Sequence, residues 1–148
     1  MGKRFTIPGD RKPGEVVKDL DRLFFRAVLV RDGGVCQKCG AAERVIEKVS
    51  KKGKPFKRRV ALNPHHIFSR AYPGTKWDPA NGVLLCVTCH LRWASVKFEE
   101  FRDWIIERMG EGAYTRLKYQ AYNGTTPDKF AMKMYLEQVL ARYEEVPA

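Results

Sequence analysis

Four cysteines set as two Cys-x-x-Cys pairs, Cys36/Cys39 and Cys86/Cys89, constrain this chain more than any other feature of its sequence. Two residues between paired thiols is the spacing of a metal knuckle, a tight turn whose two sulfurs reach one ion. Two such knuckles supply four thiolates, which close a tetrahedral zinc site and add folding free energy outright. Any fold for this chain must therefore bring residues 36–39 and 86–89 together. The opening residues, 1–14, lack the apolar stretch of a secretory signal, so a reducing, intracellular setting is expected, with zinc rather than disulfides on the sulfurs.

At 148 residues the chain fits a single domain, large enough for a hydrophobic core but small enough for a bound metal to matter. The formal net charge is +11, and it is unevenly spread. Residues 1–60 carry seventeen Lys and Arg against seven Asp and Glu, while residues 61–148 carry eleven against ten. Such a one-sided basic surface attracts polyanions, nucleic acid first and anionic membrane second. No stretch reaches the roughly 18 to 20 apolar residues of a membrane-spanning helix, so a soluble, cytoplasmic protein without a membrane partner is expected. The start Met1-Gly2-Lys3-Arg4-Phe5-Thr6 fits a loose myristoylation pattern, too short to carry weight.

Along the chain, residues 1–14 are rich in Lys, Arg, Pro and Gly and read as a basic arm. Val16, Leu20, Leu23 and Ala27 share one face of a helix over 15–32, stopped by Gly33-Gly34. Val45-Ile46 and the stretch from Phe56 to Leu62 read as two strands joined by a turn near Gly53. The turn is dense in charge, with Lys51, Lys52, Lys54, Lys57, Arg58 and Arg59 within nine residues. A solvated loop is the bland explanation; a hairpin gripping phosphates is the alternative. Residues 71–80 form an ordered loop. After Cys89 the chain turns helical, and two amphipathic core helices are expected over 96–148, one carrying Phe98, Phe101, Ile105 and Met109, the other Met132, Leu136, Val139 and Tyr143. Gly110, Gly112 and the stretch from Asn123 to Pro127 separate them, with Thr126 as N-cap and Pro127 as first helical residue.

All three histidines, His65, His66 and His90, fall between the first cysteine and the residue just after the last. A closed four-sulfur site has no use for them, so they ask for a second site. His90 follows Cys89 directly, so the knuckle fixes its direction. His65 and His66 end a strand, and the pleat sends neighbours to opposite faces, one toward a metal and one toward a substrate.

The order Cys36-x-x-Cys39, His65-His66, Asn81, Cys86-x-x-Cys89-His90 resembles the HNH family of nucleases in its zinc-containing form, over about residues 33–95. The Trp77-Asp78-x-x-Asn81-Gly82 run resembles small phage-type members. The resemblance implies an α+β fold: a zinc-stabilised ββα-metal core at 33–95, flanked by the N-terminal helix and a helical C-terminal extension. It also implies a metal-dependent endonuclease of DNA. His65 and His90 would hold the catalytic cation and His66 would be the general base. Asn81 would brace the loop and orient the base. Cys36, Cys39, Cys86 and Cys89 would hold structural Zn²⁺. Many family members carry another His four residues after the one matching His90, where this chain has Ala94. An ion with two protein ligands and an otherwise open shell suits Mg²⁺ or Mn²⁺, with Ni²⁺ or Zn²⁺ also accepted by imidazole.

These residue types fit phosphodiester hydrolysis, which needs a deprotonated water, charge neutralisation at phosphorus and help for the departing 3′ oxygen. A neutral imidazole supplies the first of these. Arg70, Lys76 and Arg92 lie near the motif as candidate phosphate contacts, against the ordinary alternative of surface charge. Trp77 and Trp93 are read as packing residues rather than stacking platforms. The rival reading is a non-catalytic, zinc-stabilised DNA-binding module, in which three grouped histidines have no task. A zinc nucleobase deaminase needs His-x-Glu and a Pro before the second knuckle, neither of which is present. Oligomeric state and DNA structure preference stay open at this level.

Overall fold

The computed structural model describes residues 12–144; the basic arm predicted over 1–14 lies largely outside them. Helix α1 spans Pro13–Arg31, two residues earlier than the predicted start at 15. Proline is suited to a first helical turn, where its preset φ helps and its missing N–H would have had no partner. Gly33 and Gly34 end the helix at φ of 68° and 70°, a left-handed conformation costly for other residues. The Gly34 amide returns to the Leu29 carbonyl at 3.0 Å, closing the C-terminus as expected.

Strands β1 (Arg44–Val49) and β2 (Pro55–Val60) pair antiparallel, with Val45 opposite Arg59 and Glu47 opposite Lys57. Gly53, at φ 79°, makes the turn. The second strand does not continue to Leu62 as predicted. It stops at Val60, and Leu62 opens a new strand, β3 (Leu62–His66), in a different ribbon. The break follows from burial: β2 is exposed at every position but its last, whereas Leu62 is buried.

β3 pairs antiparallel with β4 (Gly82–Cys86), setting His65 opposite Val83 and His66 opposite Gly82. All five β4 residues are buried, as expected of a short apolar run covered on both faces. The chain leaves β4 directly into α2 (Val87–Cys89) and a π-helical turn, His90–Ala94. Two strands followed at once by a helical segment form the ββα core expected from the sequence, and the whole molecule is an α+β fold.

Three helices follow, not two: α3 (Phe98–Met109), α4 (Glu111–Asn123) and α5 (Lys129–Glu144). Gly110 separates α3 from α4 at φ 88°, but Gly112, read from sequence as a second break, sits inside the first turn of α4. The cap of α5 is Asp128, whose carboxylate accepts from the Ala131 amide at 2.8 Å, rather than Thr126. An Asp side chain satisfies an unpaired N-terminal amide and faces the positive end of the helix dipole.

One core joins these elements. Leu20, Phe24, Ala27 and Val28 of α1 meet Val83, Leu84 and Leu85 of β4, Ile105 of α3 and Leu136 of α5. Each fully buried leucine or isoleucine contributes about 1.5–3 kcal/mol. A smaller cluster of Phe68, Leu117 and Ala121 fastens α4 to the segment after β3. The sequence placed Phe98 and Tyr143 in core stripes, yet both are exposed, Phe98 at 70%. Phe98 opens α3, where the helix looks onto a cleft rather than the core.

Candidate active site

The two knuckles meet. The Sγ atoms of Cys36, Cys39, Cys86 and Cys89 all lie within 4.8 Å of one another, with Cys39 and Cys86 at 3.7 Å. Zn–S bonds of about 2.3 Å in a tetrahedron put sulfurs about 3.8 Å apart, so the four donors fit one zinc ion, whereas a disulfide needs about 2.05 Å. The first knuckle is shaped by backbone. Val35 bridges Ala42, the Cys36 amide donates to the Ala41 carbonyl and the Gly40 amide to the Cys36 carbonyl, each at 2.8 Å. The second lies on the β4–α2 junction, where the Cys89 amide points at the Cys86 sulfur. Burial and hydrogen bonds with the other three sulfurs push the Cys89 thiol up. At Cys36, burial acts in the same sense but is outweighed by backbone hydrogen bonds from Cys39, Cys86 and Lys38, which bring it down to about 7. Four clustered sulfurs can all be thiolates only with a cation among them, and the donor set fits one.

His90 begins the turn immediately after this site. Its Nδ1 lies 2.7 Å from Nδ1 of His65, the rings meeting edge to face at 4.8 Å between centroids. Two imidazole nitrogens this close either share a proton or face one cation. Burial, then the neighbouring His90 and His66, push the His65 imidazole down to about 4, so it is neutral at ordinary pH and free to act as a ligand. Phe101 of α3 stands edge-on to the same ring at 4.9 Å.

His66 is turned to the other face of β3, toward α1. Its ring stacks on Phe24 at 4.8 Å and 21°, and Nε2 lies 2.9 Å from the Lys76 carbonyl. A carbonyl only accepts, so Nε2 carries the proton and Nδ1 keeps a free lone pair. Burial pushes this imidazole down, Lys76's carbonyl opposes the shift and the charge of Arg70 adds to it.

Asn81 is fully buried in the short turn Pro79–Asn81 that enters β4. Its Oδ1 accepts from the Phe68 amide at 2.8 Å, and Nδ2 donates to the carbonyls of Phe68 and Thr75 at 2.9 and 3.1 Å. Its side-chain hydrogen bonds go to Phe68 and Thr75 and not to His66. It ties the chain after β3 to the loop that carries the Lys76 carbonyl, so any influence on His66 passes through that loop.

His65, His66 and His90 line a single open cleft of about 630 Å³ together with Asp21, Phe24, Arg70, Phe98 and Phe101. Ala94, where many family members carry a further histidine, lines it too, and is buried. Among the described residues the sulfur cluster is the only group of three or more potential metal-binding side chains, so the cleft adds a close pair of imidazoles, His65 and His90, and no clustered triad.

Residues 36–93 match the family model for HNH endonuclease. The match covers the two knuckles, all three histidines and Asn81. No curated protein and no solved structure matches the chain.

Around the matched segment, the other predicted contacts are scattered. Lys51, Lys52, Lys54, Lys57, Arg58 and Arg59 are exposed on the β1–β2 hairpin, Arg59 being paired with Glu43. Arg70 is in the cleft. Lys76 lies over the Trp77 ring at 4.9 Å, and Arg92 is exposed on the π-helical turn. Trp77 is buried, and Trp93 packs between Lys38 of the first knuckle, Phe101 and Trp104, so both are packing residues as read. Sequence reasoning missed Phe24, Asp21 and the Lys76 carbonyl. Nothing in the pattern of an amphipathic helix distinguishes a phenylalanine that stacks on a site histidine from one that fills a core. No helix among the described residues is long and apolar enough to cross a membrane.

Proposed function

We propose that this chain is a divalent-metal-dependent endonuclease that hydrolyses DNA phosphodiester bonds, with His66 as general base, His65 and His90 as ligands of the catalytic cation and Asn81 as a positioning residue. The observation that carries it is the 2.7 Å approach of the His65 and His90 Nδ1 atoms in the cleft that also holds His66. A zinc-stabilised module that only bound DNA would have no use for that grouping.

When bound, the cation, Mg²⁺ or Mn²⁺ by preference and Ni²⁺ or Zn²⁺ by affinity for imidazole, would neutralise phosphoryl charge and ease departure of the 3′ oxygen. The chain's own residues do the rest. Nδ1 of His66 takes a proton from water as the water oxygen bonds to phosphorus and the P–O3′ bond breaks. The Lys76 carbonyl holds the Nε2 proton, so the base keeps one tautomer and stabilises the imidazolium as it forms. Phe24, flat against the ring, limits its rotation. Arg70 stands at the cleft as a phosphate contact, and Asn81 keeps the Lys76 loop in place. Beyond the cleft, the exposed hairpin and Arg92 offer cations to the flanking backbone. The domain reading is a single catalytic unit over 1–148, with the HNH core carried between α1 and helices α3–α5.

The test is cleavage of supercoiled and linear DNA by zinc-loaded protein, first with EDTA and then with each divalent cation restored. Cutting that stops with chelation and returns with Mg²⁺ or Mn²⁺ is expected. Binding without cutting under every cation would favour the DNA-binding module.

A further inference from the structure

We propose that α1, which lies wholly outside the matched HNH segment, belongs to the catalytic apparatus, and that Asp21 is a positioning residue for the base His66. The inference rests on His66 being the base.

An exposed aspartate on an amphipathic helix is ordinarily just solvated. Asp21 instead accepts a hydrogen bond from the indole N–H of Trp77 at 2.8 Å. Trp77 is buried, and its N–H is its only polar side-chain group. Its neighbour is Lys76, whose carbonyl lies 2.9 Å from His66 Nε2. The carboxylate therefore anchors the residue next to the acceptor that fixes the tautomer and tilt of the base.

Two further contacts from the same helix reach the same loop and ring. Phe24, three residues along, stacks on His66. Arg31, at the helix end, donates to the carbonyls of Pro79 and Gly82, on either side of Asn81. Gly82 is what lets the helix lie this close, since a Cβ there would sit 2.7 Å from Val28 and 2.8 Å from Phe24. The matched domain thus supplies the reactive groups, and α1 supplies the surface against which they are held. Asp21 differs from the other two residues in being exposed and contributing little to the core, so its role is separable from folding.

The experiment compares kcat and KM on a labelled duplex for the full-length, zinc-loaded parent and for Asp21→Ala, Asp21→Asn, Trp77→Phe and the Asp21→Ala/Trp77→Phe double variant, with melting temperature and zinc content measured alongside. Displacement of a catalytic group by a fraction of an ångström to about 1 Å lowers rates by roughly 10-fold to 100-fold. Asp21→Ala is expected to lose kcat in that range with KM, melting temperature and zinc content near those of the parent. Asp21→Asn, which keeps an acceptor oxygen and loses the charge, should recover to within about threefold of the parent. Trp77→Phe should lose as much as Asp21→Ala, and the double variant no more than either, because both remove one bond. Parental kcat in Asp21→Ala, or no recovery in Asp21→Asn, overturns the inference. A His66→Ala control that cuts like the parent would overturn the assignment of the base itself, which separates the two failures.

Discussion

His66 has one nitrogen committed to a carbonyl and one free, the arrangement that the proposed base requires. His66→Ala should therefore reduce cleavage by roughly 10²- to 10⁴-fold while circular dichroism and melting temperature stay close to parental values. Asn81 is expected to behave differently. Replacing it by Ala removes the partner of the Phe68 amide and one donor each from the Phe68 and Thr75 carbonyls, the latter keeping the Asp78 amide; a buried group left unpaired costs about 1–3 kcal/mol. Asn81→Ala should thus lower both the urea midpoint and the cleavage rate, with stability falling first. Of the residues read from sequence, the clustering of the four cysteines and the grouping of the three histidines were legible because metal chemistry limits which side chains are set at such spacing. Asp21, Phe24 and the Lys76 carbonyl were not, because a helix face and a backbone oxygen acquire their roles only from packing.

The elements were legible where period and punctuation agreed and obscure where they conflicted. Helix α1, its double-glycine stop and the Gly53 hairpin follow directly from local preference. Helix α4 was missed because Gly110 and Gly112 read as a pair of breaks, while its buried face consists of only Leu117 and Ala121 with Tyr114 beside them. Phe98 was misplaced because helical spacing shows which residues share a face but not what that face meets. A further interaction invisible in sequence joins three elements. The Asp32 carboxylate, 1% exposed, pairs with Arg31 and Arg108 at 2.9 Å each and accepts from the Leu84 amide. It ties the end of α1 to α3 and to β4. Asp32→Ala leaves the Leu84 amide without its acceptor and takes the carboxylate from two partly exposed guanidinium groups, which keep Pro79, Gly82 and Gln37 as partners, so a loss of about 1–3 kcal/mol is expected by denaturant titration. The β1–β2 hairpin is a different case, since nearly every residue of its two strands is exposed. Changing Lys51, Lys52 and Lys54 to Glu should leave melting temperature unaltered, raise KM and flatten the dependence of DNA affinity on salt by about one unit of slope for each phosphate no longer neutralised. Unchanged salt dependence would mean the hairpin is only solvated.

For the whole molecule, the two proposed metal sites should separate in their consequences. The sulfur site closes the gap between residues 36–39 and the β4–α2 junction, so stripping its ion with a strong chelator is expected to lower the melting temperature and loosen the fold. The proposed imidazole site would hold its ion with two protein ligands, His65 and His90, at an open cleft. Removing that ion should leave the fold intact and stop the chemistry. A +11 charge favours encounter with polyanions anywhere on the surface, and under the proposed function the cleft is where they are cut.

The decisive measurement is an anomalous difference map from crystals of the zinc-loaded protein soaked in Mn²⁺, recorded at the manganese edge. A peak between Nδ1 of His65 and Nδ1 of His90, in the cleft beside His66 and distinct from the sulfur-bound zinc, is expected. A cleft without manganese, in crystals whose dissolved protein cuts DNA with that ion, would contradict the assignment of the two imidazoles.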